Sequence, residues 1–333
     1  MLIDIDNISK DYTKKNILVI GDIILDAYEF GKVDRISQEA PVPIVAIDRK
    51  SHKPGGAANV ALNLSGLGVT VELIGIAGDD NNYDELQECF KHNDNISLHL
   101  VKDKSRPTSV KTRIIADGKQ VARLDEEDTN DINSELEQEL KNIFDLKFAN
   151  ADGIIIEDYN KGTLTKDVIS YVINVAAKQN IPVYVDPKHN NYDAYKGVRL
   201  FKPNLIEFNA IVRDKKFGEL PESGFSFKEY IDCEILLLTL GADGMSLYHN
   251  DNLDQIPTKA RKVYDVSGAG DTVIATFAIN DICGVEPLQS SFIANLAAGR
   301  VCEEIGVFPI TVDSLKEIFT YHHKNIHTFL LTF

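Results

Sequence analysis

Apolar residues in this chain arrive in short unbroken runs, each closed by a glycine or a polar residue. Ile17 to Ile20 ends in Gly21-Asp22, Val71 to Ile76 in Ala77-Gly78-Asp79, Gly153 to Ile156 in Glu157-Asp158, and Pro182 to Val185 in Asp186-Pro187. Leu200-Phe201 runs into Lys202-Pro203-Asn204, and Ile235 to Leu238 ends in Thr239-Leu240-Gly241. Runs without polar alternation fit strands buried on both faces. The helical patterns between them predict an α/β fold with a mostly parallel central sheet. Ligands bind such sheets at the carboxyl ends of the strands, where the glycines and polar residues fall here.

Two segments break the rhythm, at about 28–50 and 96–125. In the second, Val110 to Ile115 and Gln120 to Leu124 flank Asp117-Gly118, a dipeptide suited to the positive φ angles of a tight hairpin. Together the segments predict a small antiparallel sheet outside the main one, acting as a lid; a merely decorative edge sheet is the bland alternative. Asp125 to Asp128 reads as a solvated acidic loop. With no repeat or low-complexity linker, residues 1–333 form one domain into which the lid segments are inserted.

Composition narrows the function. Hydrophobic residues are 44% and charged residues 26% of 333, enough for a sizeable core. A net charge of −16 repels nucleic acid, but a local cationic pocket can still take a small anion. Cys89, Cys233, Cys283 and Cys302 contain no C-x-x-C pair and read as reduced thiols. The first 15 residues lack a signal-peptide core, and no run reaches the roughly 18 apolar residues of a membrane span, so a cytoplasmic location is expected. The eight histidines form no i, i+4 metal pair, and His322-His323 is expected at the surface.

The strongest chemical signal is Asp265-Val266-Ser267-Gly268-Ala269-Gly270-Asp271-Thr272. It follows a short β-like stretch, Lys262 to Tyr264, and precedes a helical pattern from Val273 to Cys283. Small residues at a helix start let backbone N–H groups meet an anion closely. A carboxylate there suits a general base beside a transferring phosphoryl group. A Gly-rich turn capped by Asp271 explains the spacing equally well. Gly55-Gly56-Ala57-Ala58-Asn59 opens a second helix, with Val60, Leu64 and Leu67 on one face; it suits either a polyol site or a plain glycine turn.

These two motifs resemble the two signatures of the ribokinase-like (PfkB) carbohydrate kinases, and the similarity runs from about Asn16 to Val312. The segments Gly21 to Tyr28, Arg35 to Pro43, Asp158 to Gly162, Asp186 to Lys188, Lys202 to Phe208 and Val263 to Val266 look like the branch of D-glycero-D-manno-heptose 7-phosphate kinases, which serve ADP-heptose and lipopolysaccharide synthesis. The resemblance implies a three-layer α/β/α domain with a β lid, ATP and Mg²⁺, with room for a monovalent cation, and a homodimer paired through the lid. No H-x-G-H motif of a fused nucleotidyltransferase occurs, so a stand-alone kinase is expected. The chain departs from the branch at Glu157, where Ser is frequent, at the general sugar-kinase loop Thr239 to Gly244, and in its end from Tyr321.

Carried over residue by residue, the resemblance makes Asp271 the base and Gly268, Ala269 and Gly270 the anion-holding turn. Asp22, Gly55, Gly56 and Asn59 contact the sugar. Asp26 is a second acceptor contact or a turn cap. Lys188, Asn204, Thr239, Gly241, Gly244 and Asn295 line the nucleotide. Asn204 and Glu207 organise Mg²⁺ through water; the same pair has the form of a helix capping box. Lys111 and Arg113 share a strand face, and with Arg123 and Lys161 they are candidate ligands for the sugar phosphate, or an ordinary charged outer face.

Two other readings stay open: a related kinase for a ketohexose phosphate, ribose or a nucleoside, and a non-catalytic sugar or nucleotide sensor on the same fold. A dehydrogenase lacks its G-x-G-x-x-G after the first strand, and a Walker-type kinase lacks its G-x-x-x-x-G-K-[ST].

Overall fold

A computed structural model describes residues 3–258, 262–304 and 306–329. The side chains of His322 and His323, and the tail to Phe333, lie outside the described set.

The main sheet contains β1 (Asn16–Gly21), β4 (Thr70–Gly78), β5 (Ile96–Asp103), β8 (Gly153–Glu157), β9 (Val183–Asp186), β10 (Leu200–Phe201), β11 (Ile235–Thr239), β12 (Met245–His249) and β13 (Asn252–Ile256). Their order is β13-β12-β11-β10-β9-β8-β1-β4-β5. All pairings are parallel except β11–β12 and β12–β13. The six strands expected from the apolar runs are present. Successive residues of one run enter two different cores, which is why the runs lack polar alternation. Ile17, Val19, Ile155 and Leu237 join one core, while Leu18, Ile20, Ile154, Ile156 and Leu238 join the other.

The described helices are α1 (Ile5–Ile8), α2 (Ala57–Gly66), α3 (Asn81–Glu88), α4 (Ser134–Phe148), α5 (Lys166–Lys178), α6 (Leu205–Lys215), α7 (Glu222–Ile231), α8 (Ala269–Ile282), α9 (Pro287–Val301) and α10 (Val312–Phe329). Residues of α2, α8, α9 and α10 fill the first core and residues of α4 to α7 the second, which makes three layers. Helix α8 is apolar all round because it is buried along nearly its whole length.

Four strands form the lid: β2 (Ile23–Ile36), β3 (Pro43–Gly56), β6 (Ser109–Ala116) and β7 (Lys119–Glu126), in the order β3-β2-β6-β7. The two hairpins are antiparallel and are joined by a parallel β2–β6 pairing. Asp117 and Gly118 have φ of 51° and 74°, as the tight turn requires.

The structure moves some boundaries. The lid begins at Ile23 and extends to Gly56, and residues 96–103 belong to the main sheet as β5, outside the lid. Lys262 to Tyr264 is no strand; the Tyr264 amide instead donates to the Cys302 carbonyl at 2.8 Å. All four cysteines are free. Among the described residues no helix is long and apolar enough to cross a membrane.

Candidate active site

Helix α8 starts in a conformation that favours glycine. Gly268 has φ +78°, and a Cβ on it would meet Asn59 Nδ2 at 2.5 Å. Three residues on, Asp271 sits in the first turn and is 3% exposed. Asn59 donates from Nδ2 to one of its oxygens at 2.6 Å, and the Tyr159 hydroxyl donates to the other at 2.8 Å. Burial pushes the Asp271 carboxyl up to about 6, and the charge of Asp186 adds to this; the bonds from Asn59 and Tyr159 and the charge of Lys202 oppose it. A carboxyl in that range is mostly ionised at neutral pH and basic enough to take a hydroxyl proton. Burial also raises the Tyr159 phenol well above its usual range, so it stays a donor.

Asp271 lines a cavity of about 820 Å³ together with Gly268, Ala269, Gly270, Lys188, Asn204, Glu207, Thr239, Gly241, Gly244 and Asn295. Every residue assigned to the nucleotide from sequence faces this one space. A smaller cavity of about 480 Å³ lies against the lid and is lined by Tyr28, Phe30, Arg49, Arg113, Gln120 and Asp265. The segment 264–271 borders both cavities: Tyr264 and Asp265 line the smaller, and Val266 and Gly268 to Asp271 line the larger. Asp265 fixes this segment by accepting from the amides of Ser267 and Gly306, each at 2.9 Å.

The two aspartates of the first strand end have jobs different from those expected. Asp22 is fully buried, and its carboxylate accepts from the amides of Tyr159, Lys161 and Thr163 at 2.7, 3.0 and 3.2 Å. It anchors the loop after β8. Asp26 is no cap: it stands inside β2 and forms a buried ion pair with Arg113. Gly55, which pairs with Ile24 on the neighbouring strand, makes room for the Asp26 side chain: a Cβ there would strike the carboxylate at 2.5 Å.

Arg113 and Arg123 face each other across β6 and β7, and Lys111 faces Asp125. All four candidate phosphate ligands are paired with carboxylates. Lys111 lies 3.4 Å from Asp125 and 3.1 Å from Glu127, Arg123 is 2.9 Å from Asp125, and Lys161 is 2.6 Å from Glu127. The acidic stretch from Asp125 is therefore the counter-charge of the lid cations, where a solvated loop was expected.

Asn204 and Glu207 form the capping box of α6: each accepts from the other's amide at 2.9 Å. The remaining Glu207 oxygen pairs with Lys188 at 2.6 Å, so direct metal ligation by Glu207 would break a bond already made. Thr239 and Asn204 are bridged strand to strand, and Asn295 donates to the Pro257 carbonyl at 2.8 Å.

Sequence reasoning assigned no role to several neighbours. Lys202, 3% exposed, pairs with Asp186 at 2.7 Å in the larger cavity. Tyr159 orients the base, and the Arg49 guanidinium stacks over Phe30 at 3.9 Å in the smaller cavity. Lys202 and Tyr159 stand at the ends of apolar runs, a signal that could have marked them; Arg49 had none.

The chain matches the model of the pfkB family carbohydrate kinases over residues 14–311. It is 39% identical over 327 residues to the bifunctional protein HldE of Aliarcobacter butzleri, covering 96% of this chain and 68% of that protein. To the HldE of Nitratiruptor sp. it is 38% identical, over 91% of this chain and 65% of that one. The chain thus spans about two thirds of the length of these curated relatives. Among solved structures, phosphofructokinase-2 from Escherichia coli superposes with a TM-score of 0.76 at 18% identity, over 92% of this chain and 98% of that one. The ribokinase of Thermotoga maritima gives 0.69 at 18% identity, over 92% and 99%.

Proposed function

We propose, from the premise that this chain belongs to the pfkB family of carbohydrate kinases, that it transfers the γ-phosphoryl group of ATP to the 1-hydroxyl of D-glycero-β-D-manno-heptose 7-phosphate. The product is the 1,7-bisphosphate, a precursor for ADP-heptose, and its need for ATP supports a cytoplasmic location. The observation that carries the reading is Asp271, an ionisable base held on both oxygens in the wall of the larger cavity, at the start of the helix that follows the Asp265 lining of the smaller one. The heptose branch is supported by the identity to the HldE proteins over nearly the whole of this chain.

In this mechanism the acceptor hydroxyl lies against Asp271, which takes its proton as the oxygen attacks the γ-phosphorus and the bond to ADP breaks. The first-turn amides of α8 and the Lys202 ammonium hold the charge on the transferred group. Asn59 and Tyr159 keep the carboxylate from turning away. Mg²⁺, when bound, supplies charge neutralisation at the phosphates. The capping box leaves the Asn204–Glu207 pair able to act on the ion through water, as its full hydrogen bonding requires.

ATP consumption measured over heptose 7-phosphate, heptose, fructose 6-phosphate and ribose tests the assignment. Equal rates on heptose and its 7-phosphate reject phosphate recognition. Turnover of fructose 6-phosphate or ribose alone moves the chain to another branch of the family. Arg113→Ala is expected to lower kcat/KM for the phosphosugar by about ten- to a hundredfold, the worth of one charged hydrogen bond, with KM for ATP unchanged. An equal rise in both KM values would reject the role. Circular dichroism must accompany the assay, because Asp26 loses its buried partner.

The lid also supports pairing of two copies. Val33, Ile36, Val42, Ile47, Val121 and Leu124 are exposed large apolar residues on or beside its strands, and such surfaces are commonly covered. A dimer is expected by light scattering at micromolar concentration; a monomer would exclude pairing through the lid and leave the kinase reading untouched.

A further inference from the structure

Helix α2 carries a second asparagine one turn after Asn59. Asn63 is fully buried, and hydrogen bonds occupy both of its amide protons and both lone pairs of its oxygen. Its Nδ2 donates to the Asn59 carbonyl at 2.9 Å and to Asn59 Oδ1 at 3.1 Å. Its Oδ1 accepts from the Thr272 hydroxyl and the Ile310 amide, each at 3.0 Å. A backbone amide can only donate and a carbonyl can only accept, so these two main-chain groups force the sense of the Asn63 side chain. Asn63 in turn forces the sense of Asn59. With Oδ1 of Asn59 held by a donor, the end left for Asp271 is Nδ2, which donates there at 2.6 Å. Turning the Asn59 amide over would set an oxygen against the carboxylate and an N–H₂ group against the Asn63 donor. A fixed order of donors therefore runs from the Ile310 main chain to the base.

We propose that Asn63 is a positioning residue for phosphoryl transfer, acting on Asp271 through Asn59; this rests on the reading of Asp271 as the base. Asn63 grips Asn59, which holds the base, and Thr272, which follows the base in the first turn of α8. It thus locks α2 to α8 at the point where a small displacement costs the most rate. The titratable groups that face Asp271 are Asp186, Lys202, Tyr159 and Glu157, the last with no partner for either oxygen. Asn63 bonds to none of them, so its removal leaves their influence in place and alters only the hold of Asn59. The bond from Asn59 lowers the Asp271 carboxyl against the effect of burial. Loosening it lets the carboxyl rise, and a base that titrates higher is ionised only at higher pH.

Asn280 is the matched control. It too is fully buried, donates to the carbonyl four residues back, that of Thr276, at 2.7 Å, and accepts from a hydroxyl, that of Tyr12, at 2.8 Å. Neither partner touches the base. Asn63→Leu and Asn280→Leu each leave buried donors unmatched, so both should melt lower than the wild type. Only Asn63→Leu should move the acid limb of the kcat profile, upward by about one pH unit, the order of one hydrogen bond to a charged group. At neutral pH it should lower kcat by about tenfold and leave both KM values unchanged. Asn63→Ser covers the case of poor folding. Its hydroxyl can donate to the Asn59 carbonyl one turn back but is too short to reach Asn59 Oδ1, and it should move the limb the same way. Carboxyl titration of the nucleotide-free full chain by ¹³C NMR, with Asp271→Asn to identify the signal, reads the shift without turnover. An Asp271 that titrates alike in the wild type and both Asn63 variants, or a limb that moves equally in Asn280→Leu, overturns the proposal. A shift seen by NMR in a chain that phosphorylates no sugar would count against the kinase reading and leave the order from Asn63 to Asp271 standing.

Discussion

Asp271→Asn is expected to cut kcat by about 10²–10⁴, the usual worth of a positioned base, and to leave the fold intact. The variant keeps the shape of the side chain and loses only its ability to accept a proton. Its amide oxygen can still accept from Asn59 or Tyr159, and the Tyr159 hydroxyl can turn to accept from the new amide. Stability should hold or rise, because a carboxylate 3% exposed no longer has to stay ionised away from water. The measurement is kcat with saturating ATP and acceptor, paired with thermal melting of the same preparation. Turnover near the wild-type value would remove Asp271 from the chemistry; a collapsed melting curve would mean that the loss of rate says nothing about catalysis.

Gly268→Ala should cost about a hundredfold in kcat/KM through geometry alone, since a displacement near 1 Å can have that effect on a reacting pair. The added methyl would arrive 2.5 Å from Asn59 Nδ2, the atom that holds the base at 2.6 Å. Asn59 is 1% exposed and also bonded to Asn63, so it cannot yield without moving Asp271. Gly284→Ala supplies the comparison. Gly284 has φ +79°, almost the same as Gly268, but nothing lies within 4 Å of its would-be Cβ. Both variants should lose about 1–2 kcal/mol from the left-handed backbone, and only Gly268→Ala should lose rate beyond that. Equal rates in the two variants would disconnect the turn from the base.

The central strands were readable because they are buried on both faces, and so was Asp271, because a Gly-rich helix start is short-range information. The edges were not. β5 mixes apolar residues with His99 and Lys102 as an edge strand does, and its residues read as part of the lid. The hairpin β12–β13 carries Ser246, Asp254 and Gln255 and offers no apolar run. The partners of Asp22 and Asp26, the amides after β8 and the Arg113 guanidinium, were not legible, because spacing cannot show that a new strand, β2, starts at Ile23 between them. The pairing of the lid cations was in principle legible: counting outward from Asp117-Gly118 brings Arg113 to Arg123 and Lys111 to Asp125, once the bulge after Ile114 is allowed for. That bulge is a backbone irregularity with no mark of its own in the residues. Glu157 was visible as a departure, but its lack of any partner is a three-dimensional fact.

The lid grows out of the sheet with hardly a connecting residue: β1 ends at Gly21 and β2 begins at Ile23, while β3 runs to Gly56 and α2 starts at Ala57. Its strands therefore serve as a ruler whose zero mark is welded to the catalytic turn. Each pair of residues along β2 advances about 6.6 Å, and every second side chain faces the same way. Asp26 stands opposite Lys111 and Tyr28 opposite Arg113, so polar marks recur at that interval with increasing distance from Asp271. On the proposed reading, the far end of the acceptor is measured along this scale and the fate of its near end is decided at the root. A chain built in this way would take a longer or shorter acceptor by changes to the graduations, with the machinery at zero left as it is.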